Sequence, residues 1–61
     1  MAKFQIYRDR GAQYRWRLIA VNGEIVAVSE AYVSQYGARR SAERVRLLAS
    51  TARILDLTTV R

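Results

Sequence analysis

The stretch QYRWRLIAVNGEIVAVSE, residues 13–30, decides the fold. Large apolar residues alternate with arginines from Gln13 to Val21, the chain reverses at Asn22-Gly23, and alternation resumes from Glu24 to about Glu30. A period of two marks a half-buried strand. Asn-Gly between two such runs predicts a type I′ hairpin, whose two central residues both take positive φ. That turn pairs Val21 with Glu24, and so sets Ala20 against Ile25 and Leu18 against Ala27. Upstream, Lys3 to Arg8 alternates as well, and DRGA at 9–12 has the chemistry of a turn: Asp9 to bond the backbone ahead, Gly11 to take positive φ. Setting Phe4 against Leu18 and Ile6 against Trp16 keeps the apolar side chains together, whereas a slip of one residue would invert the face. One face then carries Phe4, Ile6, Tyr14, Trp16, Leu18, Ala20, Ile25 and Ala27, the expected core. The other carries Lys3, Gln5, Tyr7, Arg15 and Arg17, with Ile19, Val21, Val26 and Val28 towards the turn. A β-branched apolar cluster on a nominally wet face needs a cover.

Beyond the ribbon, Ser34 is placed to cap a helix, its hydroxyl accepting from an orphan N–H of the first turn. Ala38, Ala42, Val45, Ala49 and Ala52 recur along one stripe, with Ser41 and Leu48 beside it, and small residues there allow close approach to the sheet. Leu47 falls on the outward face. After the weak helix formers Ser50 and Thr51 the period changes, and Ile54, Leu55 and Leu57 around Asp56 read as a short terminal strand. The element order is β-β-β-α-β, an α+β fold in which an antiparallel meander packs on one helix.

Sixty-one residues make one domain, 1–61. A chain this short buries only about 60% of the surface it exposes when unfolded, so it needs a staple. Cysteine and histidine are both absent, which removes disulfides and nearly all zinc sites, and the five carboxylates have no calcium-loop spacing. No cofactor or metal is expected. Association is the remaining staple, and 51% of the chain is hydrophobic. No apolar run precedes the N-terminal charges and no segment approaches ~20 apolar residues, so a soluble cytoplasmic protein away from membranes is expected.

The residues from Phe4 to Ser34, FQIYRDRGAQYRWRLIAVNGEIVAVSEAYVS, resemble the repeat unit of the YegP-like family of small microbial proteins of uncharacterised function. The matching residues are Phe4, Tyr7, Asp9, Tyr14, Arg15, Trp16, Arg17, Leu18, Ala20, Asn22, Gly23, Glu24, Ala27, Ser29, Glu30, Tyr32 and Ser34, followed more loosely by Ala38, Glu43, Val45 and Ala49. The chain departs from the pattern at Ala31, where glycine is common, at Tyr36-Gly37 and Arg39-Arg40, and in RLLA at 46–49. The resemblance implies β3-α-β units, in tandem or in two chains, that form a single sheet and exchange their C-terminal strands. A one-unit chain would then be a homodimer with Arg53, Ile54, Leu55 and Leu57 at the contact. The resemblance carries no catalytic residues.

The residues themselves argue against an enzyme. No histidine can shuttle protons near neutrality, no cysteine can attack, and the serines lack a histidine partner. Gly11, Gly23 and Gly37 form no phosphate loop, and Glu24 and Glu30 stand about 20 Å apart along their strand. Tyr14, Trp16 and Tyr32 on the core face are packing residues, so no small-molecule substrate is evident. Net charge is +6, a balance that attracts nucleic acid, acidic protein or anionic lipid without choosing among them. The sharper alternative is a basic strip of Lys3, Tyr7, Arg15 and Arg17 that holds nucleic acid weakly and salt-sensitively. Against it stands plain cross-strand packing, Tyr7 on Arg15 and Gln5 on Arg17, on a solvated face. The reading from sequence is therefore a homodimeric, non-enzymatic interaction module, with nucleic-acid binding as its rival.

Overall fold

The computed structural model describes residues 1–58. Strands β1 (Lys3–Arg8), β2 (Tyr14–Ile19) and β3 (Ile25–Val28) form one antiparallel sheet in the order β1-β2-β3, followed by helix α1 (Gln35–Ala49). The first hairpin has the expected register: Phe4 opposes Leu18, Gln5 opposes Arg17, Ile6 opposes Trp16 and Tyr7 opposes Arg15. Side-chain complementarity fixes this pairing. Phe4 and Trp16 meet edge to face, their centroids 5.2 Å apart, a geometry that the opposite polarity of ring faces and edges favours.

The second hairpin differs from the expected type I′ turn. Only Gly23 takes positive φ (91°), the Gly23 N–H donates to the Ala20 carbonyl at 2.9 Å, and the Ala20 N–H donates to the Glu24 carbonyl at 2.8 Å. This is a three-residue loop with its last residue left-handed. It sets Ala20 opposite Glu24, one residue away from the expected pairing. The offset is absorbed at once. Ile19 faces Ile25 while Leu18 faces Ala27, so Val26 is an extra residue in a β-bulge. The bulge restores the expected Leu18–Ala27 pair. Its cost is Ile25, expected in the core and found 52% exposed.

The first hairpin uses the same loop. The Ala12 N–H donates to the Asp9 carbonyl at 3.1 Å, and the Asp9 N–H donates to the Gln13 carbonyl at 2.8 Å. The left-handed position falls on Ala12 (φ 64°), not on Gly11 as the turn chemistry had suggested. A Cβ in that region costs roughly 1–2 kcal/mol. Ala12→Gly should therefore stabilise the domain by about 0.5–1 kcal/mol, after the larger entropy of glycine in the unfolded chain is subtracted. An unchanged or lower denaturation midpoint in urea would show that this loop carries no such strain.

The helix begins where expected. Ser34 is extended (φ −132°, ψ 152°) and its hydroxyl accepts from the Gly37 N–H at 2.9 Å. Gly37 inside the first turn is explained by space, since a Cβ there would lie 3.2 Å from the Ser34 hydroxyl and 3.7 Å from the Tyr32 side chain. The small-residue stripe works only at its N-terminal end. Ala38 and Ala42 are buried and Val45 half-buried, while Leu48, Ala49 and Ala52 are exposed, against the expectation that they face the sheet. Leu47 points outward as expected. The helix packs on β2 and β1 and leaves β3 uncovered.

The fourth strand does not form within the chain. Residues 52–57 have no regular structure and are exposed throughout. A strand exists only by pairing with an edge, and this segment meets none in the single chain. Among the described residues the buried hydrophobic ones are Trp16, Ala38 and Ala42, a very small core even for this length.

Candidate functional site

The sheet face opposite the helix was singled out for Lys3, Tyr7, Arg15 and Arg17, and the register of β1 and β2 places all four on it. Their environments separate them. Arg15 is already engaged: its Nε donates to the Asp9 carboxylate at 2.8 Å and an Nη donates to the Ser29 carbonyl at 3.0 Å. Arg17 is held differently. Its Nε donates to the Gln5 side-chain oxygen at 3.0 Å, and its guanidinium lies 4.6 Å from the centre of the Tyr7 ring. Lys3 sits at the start of β1, exposed.

The Asp9–Arg15 pair closes the first hairpin. Asp9 also accepts from the Gln13 N–H at 3.0 Å, so one carboxylate fixes both the loop and the arginine. The bond from Arg15, then that from Gln13, hold the Asp9 carboxyl below its usual pKa, with desolvation opposing. The same bond raises the Arg15 pKa. A depressed carboxylate contributes stability that is complete above its unfolded pKa of about 3.9 and fades as pH falls through the lower folded value. The acid limb of unfolding below about pH 4 should therefore contain a component that Asp9→Asn removes. An identical acid limb in parent and variant, followed by tryptophan fluorescence, would show that the pair carries no linkage.

Behind this face, Ser29 and Ser41 are structural. Ser29 is 9% exposed, its hydroxyl accepts from the Trp16 N–H at 2.9 Å and donates to the Glu30 carbonyl at 2.7 Å. Ser41 accepts from Trp16 Nε1 at 2.9 Å and from the Tyr32 hydroxyl at 2.8 Å, which clasps the helix to the sheet. Ser41 thus supplies the partner for the polar tips of both Trp16 and Tyr32. The residues 29–32 run along β2: Tyr14 and Tyr32 exchange both backbone hydrogen bonds, at 2.8 and 2.7 Å.

Sequence reasoning missed the second role of Asp9 and the burial of Ser29. Asp9 stands six residues before Arg15, a separation that means nothing until the hairpin brings them together. Ser29 had a readable sign: it follows the alternation of β3 onto the core side, where a polar residue must bond.

Arg53, Ile54, Leu55 and Leu57, the expected dimer contact, lie together on the exposed tail, outside the strands and the helix. A shallow groove of about 170 Å³ lies between β1 and the helix, with Phe4, Ile6 and Ala42 as its floor and Arg39, Glu43 and Arg46 at its rim. Glu43 is 3.5 Å from Arg39. Among the described residues no cluster of three or more potential metal ligands occurs, and no helix is long and apolar enough to cross a membrane.

Residues 9–56 match the family described as domain of unknown function DUF1508. A UPF0339 protein of Methanosarcina acetivorans is 46% identical over 57 residues, covering 93% of this chain and 98% of that one. The UPF0339 protein Atu0232 of Agrobacterium fabrum is 38% identical over 60 residues, covering 98% and 97%. Two solution NMR structures share the fold. A protein from Haloferax volcanii has a TM-score of 0.79 at 36% identity, over 90% of this chain and 93% of that one. The protein ATU0232 from Agrobacterium tumefaciens has a TM-score of 0.77 at 39% identity, over 97% and 95%. With the α+β meander, the Asn22-Gly23 hairpin and the Trp16 core in place, this chain belongs to the DUF1508 family, the UPF0339 or YegP-like proteins.

Proposed function

We propose that the protein is a self-associating interaction module with no catalytic chemistry of its own, two copies being joined by exchange of the segment that contains Arg53, Ile54, Leu55 and Leu57. The observation that carries this reading is the apolar surface left in water by a single chain. Ile54 is 95% exposed, Leu55 66% and Leu57 73%. The Cα radius of gyration, 13.9 Å, exceeds the roughly 10.5 Å of a compact domain of this length, because helix end and tail project from the sheet. Burying each of these side chains would contribute about 1.5–3 kcal/mol.

The groove between β1 and the helix is the seat that suits a second copy's tail. β1 is a six-residue edge strand with free backbone groups on its outer side, and a strand added there lies on Phe4 and Ile6 and under the helix. Arg53 alternates onto the same face as Leu55 and Leu57 and can meet Glu43 at the rim, while Asp56 of the entering LDL sequence points to the other face of the sheet. Exposed pairs of this kind contribute about 0–1 kcal/mol and set register more than affinity. A small domain held by association and not by disulfides suits a reducing cytoplasm.

Sedimentation equilibrium at micromolar concentration should give twice the chain mass. Isotope-filtered NOEs between a labelled and an unlabelled copy should link Leu55 and Leu57 to Phe4 and Ile6. A single-chain mass overturns the module as a self-associating one; a double mass without those NOEs moves the contact to another edge.

A further inference from the structure

We propose that the sheet face opposite the helix binds single-stranded nucleic acid, with the stacked pair Arg17–Tyr7 as its contact centre and Lys3 extending the strip. The site uses no residue of the tail or helix and stands apart from how two copies associate. The sequence offered four candidate residues, one of them aromatic; the structure narrows and strengthens that strip. Arg15 is withdrawn, because Asp9 and the Ser29 carbonyl occupy it. In return it neutralises the acid nearest the strip, Asp9. Among the described residues the ion pairs are Arg15–Asp9 and Arg39–Glu43, so Arg17 and Lys3 keep their full charge towards solvent.

Arg17 is fixed without being neutralised, as Arg40 is on the helix by Tyr36, and the Arg17 guanidinium lies closer to its ring, 4.6 Å against 5.7 Å. Gln5 holds its Nε and Tyr7 holds its plane, both neutral groups that leave its terminal nitrogens open to an anion. Much of the rotamer entropy an arginine loses on binding is therefore already lost before a ligand arrives. A phosphate can take two parallel hydrogen bonds from such a guanidinium. The guanidinium plane also serves as a platform for an unpaired base, as the faces of aromatic rings do. With Tyr7 beneath it, the outer face of the guanidinium is the flat surface that the strip offers. Lys3, on the same face of β1 and two pleats from Tyr7, lies along the line a backbone would take.

These features select the occupant. An acidic peptide supplies carboxylates but nothing to lie on the stacked plane. A duplex keeps its bases stacked on one another and so has no free base face to lay on the guanidinium. A single strand supplies phosphates and free base faces together. The chain's net charge of +6 draws any such polyanion in.

The test is fluorescence anisotropy with a labelled mixed-sequence RNA of about twelve nucleotides, within the usual range of single-strand site sizes, titrated from about 20 to 200 mM salt. The full-length protein should bind at the low end and weaken linearly in log–log form. Arg17→Ala should lower affinity about tenfold or more, the loss expected when a stack and a phosphate contact go together. Arg17→Lys keeps the charge and the salt slope yet should still lose affinity, because the plane is gone. It also decides the matter if Arg17→Ala unfolds, as judged by its amide NMR spectrum. Arg44→Ala removes an exposed helix charge and should cost no more than about threefold. Equal losses from Arg17→Ala and Arg44→Ala, parent-like affinity for Arg17→Lys, displacement by polyglutamate as effective as by unlabelled RNA, or no binding at the lowest salt would each overturn the site.

Discussion

A chain ending at Thr51 should neither associate nor fold. The full-length protein should sediment as two chains with a dispersed amide spectrum. The truncated one should sediment as one chain with the narrow dispersion of an unfolded polypeptide. A natural domain of this length has only about 3–9 kcal/mol of stability. The tail residues Ile54, Leu55 and Leu57 together would bury side chains contributing several kcal/mol, by the usual value for apolar surface taken out of water. Removing them also re-exposes Phe4 and Ile6 at the groove that they would cover. Loss and residual stability are therefore of the same size.

The alternative outcomes discriminate. A folded monomer after truncation would mean that Trp16, Ala38 and Ala42 suffice as a core, and the exchange model would fall. An unfolded truncation product from a full-length chain that is itself monomeric would instead assign the tail to its own sheet. A milder variant separates fold from assembly: Leu55→Asp keeps the chain length and places a second charge beside Asp56. It should shift the association midpoint to much higher concentration.

Much of this fold can be read from residues 3–34 because each inference there rests on a local rule with a single consistent solution. Alternation gives the strands, apolar pairing gives Phe4–Leu18 and Ile6–Trp16, and the Ser34 hydroxyl gives the start of the helix. The errors arise where two solutions satisfy the same residues. Asn22-Gly23 serves a two-residue loop or, with Val21, a three-residue loop; the second wins here, and a bulge at Val26 repairs the register so that only Ile25 is misplaced. Gly11 and Ala12 pose the same ambiguity, and the chain places the less suited residue in the left-handed position. The fate of Ile54, Leu55 and Leu57 is beyond any local rule, since a strand at a chain end depends on an edge that the sequence of one copy does not locate. At the candidate site the sequence supplied the four residues but not their division of labour. Only the folded hairpin brings Asp9 to Arg15 and lays Arg17 over Tyr7.

Trp16→Ala should be the most damaging single substitution in the sheet. Trp16 is 7% exposed, stacks edge to face with Phe4 and donates from Nε1 to Ser41. It joins three parts of the molecule, β1, β2 and α1. Truncating a buried aromatic to alanine costs about 3–5 kcal/mol through lost transfer energy and the cavity left behind. The other buried hydrophobic residues among those described, Ala38 and Ala42, are too small to fill the space. The variant should be unfolded at room temperature by circular dichroism. Two further substitutions locate the energy. Trp16→Phe keeps an aromatic against Phe4 but leaves Ser41 with only the Tyr32 hydroxyl. Ser41→Ala removes the acceptor for both Trp16 Nε1 and Tyr32. Leaving a buried donor unpaired costs about 1–3 kcal/mol, so Ser41→Ala should lower the urea midpoint yet stay folded. If Ser41→Ala were neutral while Trp16→Phe destabilised strongly, the indole would act through its volume alone, and the polar clasp between helix and sheet would carry no stability. If both were mild and Trp16→Ala remained folded, a second copy would have to supply cover that the single chain lacks, and the loss should then deepen on dilution below the association midpoint.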